Sequence, residues 1–192
     1  MTVMLAACGG VSPPVRFFTL ASEAPSAAVA IPAYSVVVGP VTVPELVDRP
    51  QLVLRSAPSR VALEEEARWA APLKSEIPRV VADHLARLLE GSRTATSAQR
   101  AALVPDYRVL IDIQRFETSS QEGATIQALW TVRPTDGPAF TGRSLVTEPA
   151  GPGHDDLVAA HSRALAAVSR DIAAAITAAR SAKAIDVTSP PR

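Results

Sequence analysis

LVAAHSRALAAVSRDIAAAITAA, residues 157–179, is the stretch that decides the fold, because its apolar side chains recur at intervals of three and four residues. An α-helix places side chains with that spacing on one face. The stripe predicts an amphipathic helix of about seven turns, and Asp155 and Asp156 favour its N-terminus. Alanines beside the stripe leave room for a sheet to pack closely. The stripe consists of Leu157, His161, Leu165, Val168, Ile172, Ile176 and Ala179.

Two segments before this helix alternate apolar and polar residues, the period of two that is typical of a half-buried β-strand. Turn sequences at 119–123 and 134–138 separate these segments from each other and from a third strand over residues 140–147. Together they predict an antiparallel meander with one buried face, on which the helix packs. The buried positions are Tyr107, Val109, Ile111, Ile113, Ile126, Ala128, Trp130 and Val132.

The first half of the chain predicts two more strands and a second helix. Residues 34–43 are apolar without alternation, which indicates a strand covered on both faces, and residues 51–55 form the next strand. Residues 72–90 predict a helix with Gly91 as its C-cap, and Pro78 predicts a kink or a separate first turn. The fold class is therefore α+β, a mixed and largely antiparallel sheet with two main helices packed on one face. The stripe of the second helix is Ile77, Val81, Leu85, Leu88 and Leu89.

The balance of charges excludes one class of partner. The 192 residues contain 19 Lys and Arg and 19 Asp and Glu, so no net basic field attracts nucleic acid. No apolar run is long enough to span a membrane as a helix, because charged residues interrupt even the alanine-rich C-terminal segment. Cys8 is the only cysteine, which excludes a disulfide within the chain.

The first residues, MTVMLAACGG, resemble the end of a bacterial lipoprotein export signal, in which a leucine and two small residues precede a cysteine that carries lipid. The basic region of such a signal is missing, so residues 1–8 are interpreted as a truncated signal that ends at the lipidated Cys8. The alternative is an ordinary buried thiol. Residues 9–33 then form a tether with a short strand at 17–20, residues 34–184 a single α+β domain, and residues 185–192 a flexible tail.

The histidines and acidic residues do not form the pattern of a catalytic or metal site. His84 and His161 lie on or beside apolar helical stripes, which is typical of core histidines. His154 precedes two aspartates, but these already have a role at a helix N-terminus. The acidic run at 64–66 is interpreted as solvated. No nucleophile elbow, phosphate loop or zinc-protease motif is present, so we expect no enzyme activity, catalytic residue, metal or cofactor.

A more specific pattern is the hexapeptide RWAAPL at residues 68–73, which follows a DRP turn at 48–50 and the pair Leu54-Arg55. Taken with FFTL at 17–20 and the alanine-rich last helix, this order resembles the ABC-type transport auxiliary lipoproteins, the family of paraquat-inducible protein C. The resemblance covers nearly the whole chain, and only the truncated signal and the proline-rich tail depart from it. The motif residues are Pro44, Asp48, Arg49, Arg55, Arg68, Trp69, Pro72 and Leu73.

The resemblance implies an outer-membrane lipoprotein that faces the periplasm and is attached through acylated Cys8. Its partners would be a periplasmic mammalian-cell-entry (MCE) protein, which carries phospholipid between the two membranes, and the inner-membrane permease of that system. A homo-oligomer that matches the MCE ring is also expected. Two alternatives stay open: a periplasmic structural or assembly lipoprotein that stabilises an envelope complex without transport, and a cell-envelope hydrolase.

Two structural roles are expected for the motif residues. Trp69 is expected to pack over the start of the first helix rather than to contact a partner. Asp48, Arg49, Arg55 and Arg68 are expected to form a buried or half-buried polar network that holds the long loop, with partner binding as the alternative.

Overall fold

The computed structural model describes residues 13–22, 32–99, 104–119 and 121–188, in which eight strands form one sheet and two helices cover it. The predicted α+β class is confirmed. The strands are β1 (Arg16–Phe18), β2 (Tyr34–Thr42), β3 (Gln51–Ala57), β4 (Arg60–Trp69), β5 (Ser92–Thr96), β6 (Tyr107–Ser119), β7 (Gly123–Pro134) and β8 (Phe140–Glu148). The helices are α1 (Leu73–Leu88) and α2 (His154–Thr188).

Strand β6 is the centre of the sheet. Strand β7 runs antiparallel along one of its edges and β8 runs antiparallel along β7, which confirms the predicted meander. The other edge of β6 is shared, because its first half pairs with β2 and its end pairs with β3, both in parallel. Strand β5 extends the sheet beyond β2, and β4 and β1 extend it beyond β3. The sheet is therefore mixed as predicted, and its two longest ladders are antiparallel.

Both helices lie on one face of the sheet, which we call the inner face, as predicted. Helix α2 packs on β6, β7 and β8, helix α1 packs on β2 and β5, and the two helices contact each other. Every residue of the predicted α2 stripe is buried, including His161. The core is therefore the apolar layer between the two helices and the inner face. Within the described ranges, neither helix is long and apolar enough to cross a membrane.

Helix α1 differs in detail from the prediction. Pro78 is buried inside a continuous helix, so the first turn is not separate. The helix ends at Leu88 with Leu89 as its C-cap, and Gly91 follows with a φ of 70°, the left-handed conformation that favours glycine. The prediction that Leu88 is buried is wrong, because Leu89 continues the buried stripe and Leu88 is 44% exposed.

The sequence does not predict strands β4 and β5. Most of β4 is exposed, including Glu65 and Glu66 of the acidic run, so its sequence lacks the alternation that marks a half-buried strand. The predicted first strand is present as β1, one residue earlier than FFTL, and it pairs in parallel with the end of β4. Cys8 and most of the expected tether lie outside the described residues, so the domain boundaries stay predictions.

Replacing Ile172 by alanine tests the contact between α2 and the sheet. Ile172 is fully buried on the helix stripe, and the cavity left by its side chain should cost about 2–5 kcal/mol in the free energy of unfolding. Chemical denaturation of the two proteins measures the difference. Leu88→Ala is the matched control, because Leu88 is 44% exposed and loses much less burial. Equal losses for the two variants would contradict the assigned core.

Candidate docking pocket

Two sequence motifs meet at one open pocket of about 280 Å³, here called the motif pocket. The turn before β3 supplies one wall, and the corner between β4 and α1 supplies the other. Two backbone hydrogen bonds hold the corner: the Trp69 N–H donates to the Pro50 carbonyl (2.6 Å) and the Ala70 N–H donates to the Phe18 carbonyl (2.8 Å). The lining residues are Asp48, Arg49, Pro50, Trp69, Ala70, Ala71 and Pro72.

The indole of Trp69 is the rigid base of the motif pocket. The Trp69 side chain is buried, and its ring lies edge-on to Phe116 (6.0 Å between ring centroids) and to His161 (6.3 Å). Phe116 and His161 stack face to face with their centroids 4.0 Å apart. Trp69 is thus packed against β6 and α2, whereas the sequence predicts that it packs over the start of α1.

His161 lies beneath this base as a neutral core residue. Its Nε2 atom is 2.8 Å from the Thr118 hydroxyl, and both side chains are buried. Its Nδ1 atom has no hydrogen-bond partner among the described residues. Burial lowers the pKa of His161 to about 3, because the imidazolium would lose its hydration there. The expected core role is confirmed, with one ring nitrogen left unpaired.

The rim of the motif pocket carries both signs of charge. Lys74 Nζ lies 2.6 Å from Asp48 Oδ2, which ties the DRP turn to the first turn of α1. Arg49 is exposed. Within the part of the chain that the structure describes, its side chain forms no ion pair and no hydrogen bond. The rim therefore presents one paired carboxylate and one guanidinium that is available to a ligand.

The expectation that Asp48, Arg49, Arg55 and Arg68 form one polar network is wrong. Arg55 pairs with Glu117 at 3.0 Å, and Arg68 pairs with Glu65 of its own strand at 3.3 Å. The reason is topological, because the parallel pairing of β3 with the end of β6 brings Arg55 close to Glu117.

Glu117 is the centre of a different ionic cluster. Hydrogen bonds from Arg115 and then from Arg55 lower the pKa of the Glu117 carboxyl below its usual value. Arg115 Nη2 lies 2.7 Å from Glu117 Oε2, so one carboxylate accepts from two arginines. This cluster joins β3 to β6 and does not reach the motif pocket.

The remaining motif residues, Pro44 and Leu73, are structural. The Pro44 carbonyl accepts hydrogen bonds from the N–H groups of Val47 (3.0 Å) and Asp48 (3.2 Å), which closes the turn after β2. Leu73 is buried as the first residue of α1. These residues hold the two walls of the pocket without lining it.

The other histidines also link elements of the fold. His84 of α1 lies 3.2 Å from the Ser169 hydroxyl of α2. Arg16 Nη2 donates to His154 Nδ1 (2.7 Å), which leaves the other ring nitrogen of His154 to donate to Glu64 (3.2 Å). In the described ranges, no three His, Cys, Asp or Glu side chains lie close enough together to hold a metal ion.

Sequence reasoning missed two residues of the pocket region, Phe116 and Lys74. Phe116 falls out of phase with Ile111 and Ile113, because the register of β6 shifts between Ile113 and Arg115. An apolar residue out of phase with its strand was the available signal for this bulge. Lys74 carries no sequence signal, since its partner Asp48 belongs to another motif.

Comparisons with known proteins agree with the fold. A profile described as the ABC-type transport auxiliary lipoprotein component matches residues 18–173. The chain resembles the crystal structure of an uncharacterized protein, with a TM-score of 0.73, 17% identity, and coverage of 85% of this chain and 99% of that one. It also resembles a Xanthomonas campestris protein of the DUF330 family, with a TM-score of 0.66, 20% identity, and coverage of 88% and 99%. No curated protein matches significantly.

Acidification should destabilise the fold through His161. Its pKa is about 3 in the folded chain against a usual 6.5, so between these values the unfolded chain binds a proton that the folded chain excludes. The free energy of unfolding should therefore decrease as the pH drops below the pKa of His161 in the unfolded chain. The slope of this decrease should approach about 1.4 kcal/mol per pH unit. Denaturation curves between about pH 7 and about pH 5, above the range of most carboxylates, measure this slope.

His161→Leu is the comparison variant for this slope. It leaves the Thr118 hydroxyl unpaired and so lowers stability by about 1–3 kcal/mol at about pH 7, but it removes the titrating group, so this difference should shrink as the pH falls. Its pH dependence over the same interval should be shallower than that of the wild type. Parallel curves for the two proteins would contradict the assignment of a buried neutral imidazole.

Proposed function

Since the chain belongs to the ABC-type transport auxiliary lipoprotein family, we propose that it is the outer-membrane accessory subunit of an MCE-type system that moves phospholipid between membranes. Family membership implies partners in an ABC-type transport system. In this proposal, acyl chains on Cys8 hold the protein in the outer membrane with its domain in the periplasm. The domain docks the periplasmic MCE protein, which works with an inner-membrane permease.

The motif pocket is the observation that supports docking. Its base is already held by the contacts of Trp69 with Phe116 and His161, so a partner does not have to order it. Its rim exposes Arg49, and binding energy at interfaces is concentrated at arginines and aromatic-lined pockets. The pocket therefore suits an anchor side chain of the partner that lies beside a carboxylate or carbonyl group.

We propose that the protein works without catalysis. Two histidines contact hydroxyl groups, which is the arrangement of a base and a nucleophile, but the hydroxyl groups, those of Thr118 and Ser169, are both buried. Ser169 also donates to the Leu165 carbonyl of its own helix. These contacts favour structural roles for the histidines.

We also propose that copies of the chain assemble, because a ring-shaped MCE partner is matched by a ring of the same symmetry. The alternative function is a periplasmic structural or assembly lipoprotein without a transport role. Neighbouring genes for an MCE-domain protein and a permease favour transport. Pulldown of the membrane-extracted protein that retrieves neither of them favours the alternative.

Lipidation of Cys8 is tested by expressing the chain behind a complete export signal. The mature protein should begin at Cys8 and carry acyl chains, and more than one chain gives stable anchoring. Mass spectrometry of the membrane fraction measures the modification. Cys8→Ala should fold normally but leave the membrane fraction, and an unmodified Cys8 in the wild-type protein would refute the anchor.

Docking through the motif pocket is tested with Arg49→Glu. Because Arg49 is exposed and unpaired within the described part of the chain, the change should leave the fold intact. It should weaken binding to the MCE-domain protein of the same gene cluster by at least about tenfold, which corresponds to 1.4 kcal/mol. Titration of the purified domain against that protein measures the affinity.

The matched control is Arg60→Glu, which makes the same change of charge at an exposed position in the β3–β4 hairpin. It should bind like the wild type. Light scattering of all three proteins checks that their oligomeric states agree, so that a loss of assembly is not mistaken for a loss of docking. Equal weakening by the two substitutions would remove the motif pocket from the proposal.

A further inference from the structure

The face of the sheet opposite the helices, here called the outer face, carries several arginines. The Ser144 hydroxyl of β8 donates to Asp171 of α2, so Ser144 points to the inner face and its neighbour Arg143 to the outer face. The Thr94 hydroxyl of β5 donates to the Ala82 carbonyl of α1, which places Arg93 on the outer face in the same way. Successive side chains of a strand point to opposite faces.

Two further arginines of the outer face lie directly opposite each other. Arg108 of β6 and Arg133 of β7 are partners in the antiparallel ladder, and like charges in that position destabilise a sheet. Throughout the described ranges, neither of them makes a side-chain hydrogen bond or an ion pair, and the same is true of Arg93 and Arg143. Four guanidinium groups therefore lie on one face of the sheet without a hydrogen-bond or ion-pair partner in the described part of the chain.

Carboxylates also lie on or beside this face, and among the described residues none forms an ion pair with these four arginines. Asp106 accepts hydrogen bonds from the backbone N–H and the hydroxyl of Ser35, both at 2.7 Å. Asp112 accepts from the Thr42 hydroxyl. Asp136 lies in the turn after β7 and has an interaction of its own. The arginines remain available to an anion from outside the chain.

Exposed leucines lie among the arginines. Leu129 is 38% exposed and is the ladder partner of Arg143, and Leu145 is 57% exposed on the next strand. We call this surface the arginine face. It consists of Arg93, Arg108, Leu129, Arg133, Arg143 and Leu145.

We infer that the arginine face binds the surface of an anionic phospholipid bilayer. A guanidinium matches a phosphate with two parallel hydrogen bonds, and aliphatic side chains gain burial at the boundary between headgroups and acyl chains. A protein partner would more often anchor in a pocket, whereas this surface is a sheet face with isolated leucines. The inference adds a second membrane contact to the proposed function and does not depend on Cys8.

Sedimentation with vesicles tests the inference, with the full chain carrying Cys8→Ala in every arm so that lipidation has no influence. The chain should bind vesicles of phosphatidylcholine mixed with phosphatidylglycerol, and should bind phosphatidylcholine alone much more weakly. Added salt should weaken the binding, because exposed charges are screened. Equal binding to both kinds of vesicle would overturn the inference.

The decisive variant is Arg108→Gln combined with Arg133→Gln, which also removes the like-charge pair. Its affinity for the anionic vesicles should fall by about fivefold for each arginine. Arg60→Gln with Arg170→Gln is the control, since both arginines are exposed elsewhere and the net charge changes equally. A control that loses as much affinity as the test variant would overturn the inference.

A second variant keeps the test independent of the sheet pairing. Leu145→Ser changes an exposed side chain, so it should preserve the thermal unfolding curve and still weaken binding to the anionic vesicles. If vesicle binding is unchanged in both variants while retention of the MCE-domain protein is lost, the arginine face is a protein interface and the inference is wrong.

Discussion

The contact between the apolar stripe of α2 and the inner face of the sheet is the constraint on which the structure depends. Leu165, Val168 and Ile172 are completely buried in it, and the alanines beside them allow the helix to approach the strands closely. The same stripe contains His161, whose ring stacks on Phe116 and meets the edge of Trp69. The helix that covers the sheet therefore also supports the base of the motif pocket.

Within one motif, some residues therefore stabilise the fold and others are available for binding. Trp69 belongs to the motif pocket but has most of its ring in the core, so any substitution there changes both the fold and the surface. Arg49 shares the pocket and is exposed. A substitution of Asp48 would affect binding indirectly, because its ion pair with Lys74 fixes the turn that presents Arg49. Effects on binding can thus be assigned cleanly only to the exposed member.

The sequence predicts those elements whose faces differ in burial. The stripe of α2 and the alternation of β6 and β7 come from one buried face each, and both patterns survive in the structure. Strand β4 has little buried surface before Ala67, so no alternation marks it. The prediction for Leu88 is wrong because residues three and four after Leu85 are both apolar, and periodicity alone does not choose between them.

Contacts between residues that are far apart in the chain could not be predicted from the sequence, for a different reason. Arg55 meets Glu117 only because β3 and β2 share one edge of β6, a topology that no local pattern contains. The base of the motif pocket likewise needs Phe116, which a bulge moves out of the strand's phase. The motif residues could be selected from the sequence, but their partners could not.

The chain has no net charge, but its charged groups are unevenly distributed, and this distribution matters for both proposed surfaces. Carboxylates are used in ion pairs with Lys74, Arg55, Arg79 and Arg163, whereas the arginine face has no such pairs within the described residues. The base of the motif pocket reaches α2 on the inner face, and the arginine face lies on the outer face. The two proposed surfaces share no residue, so in these proposals a bilayer and a protein partner would not compete for the same side chains.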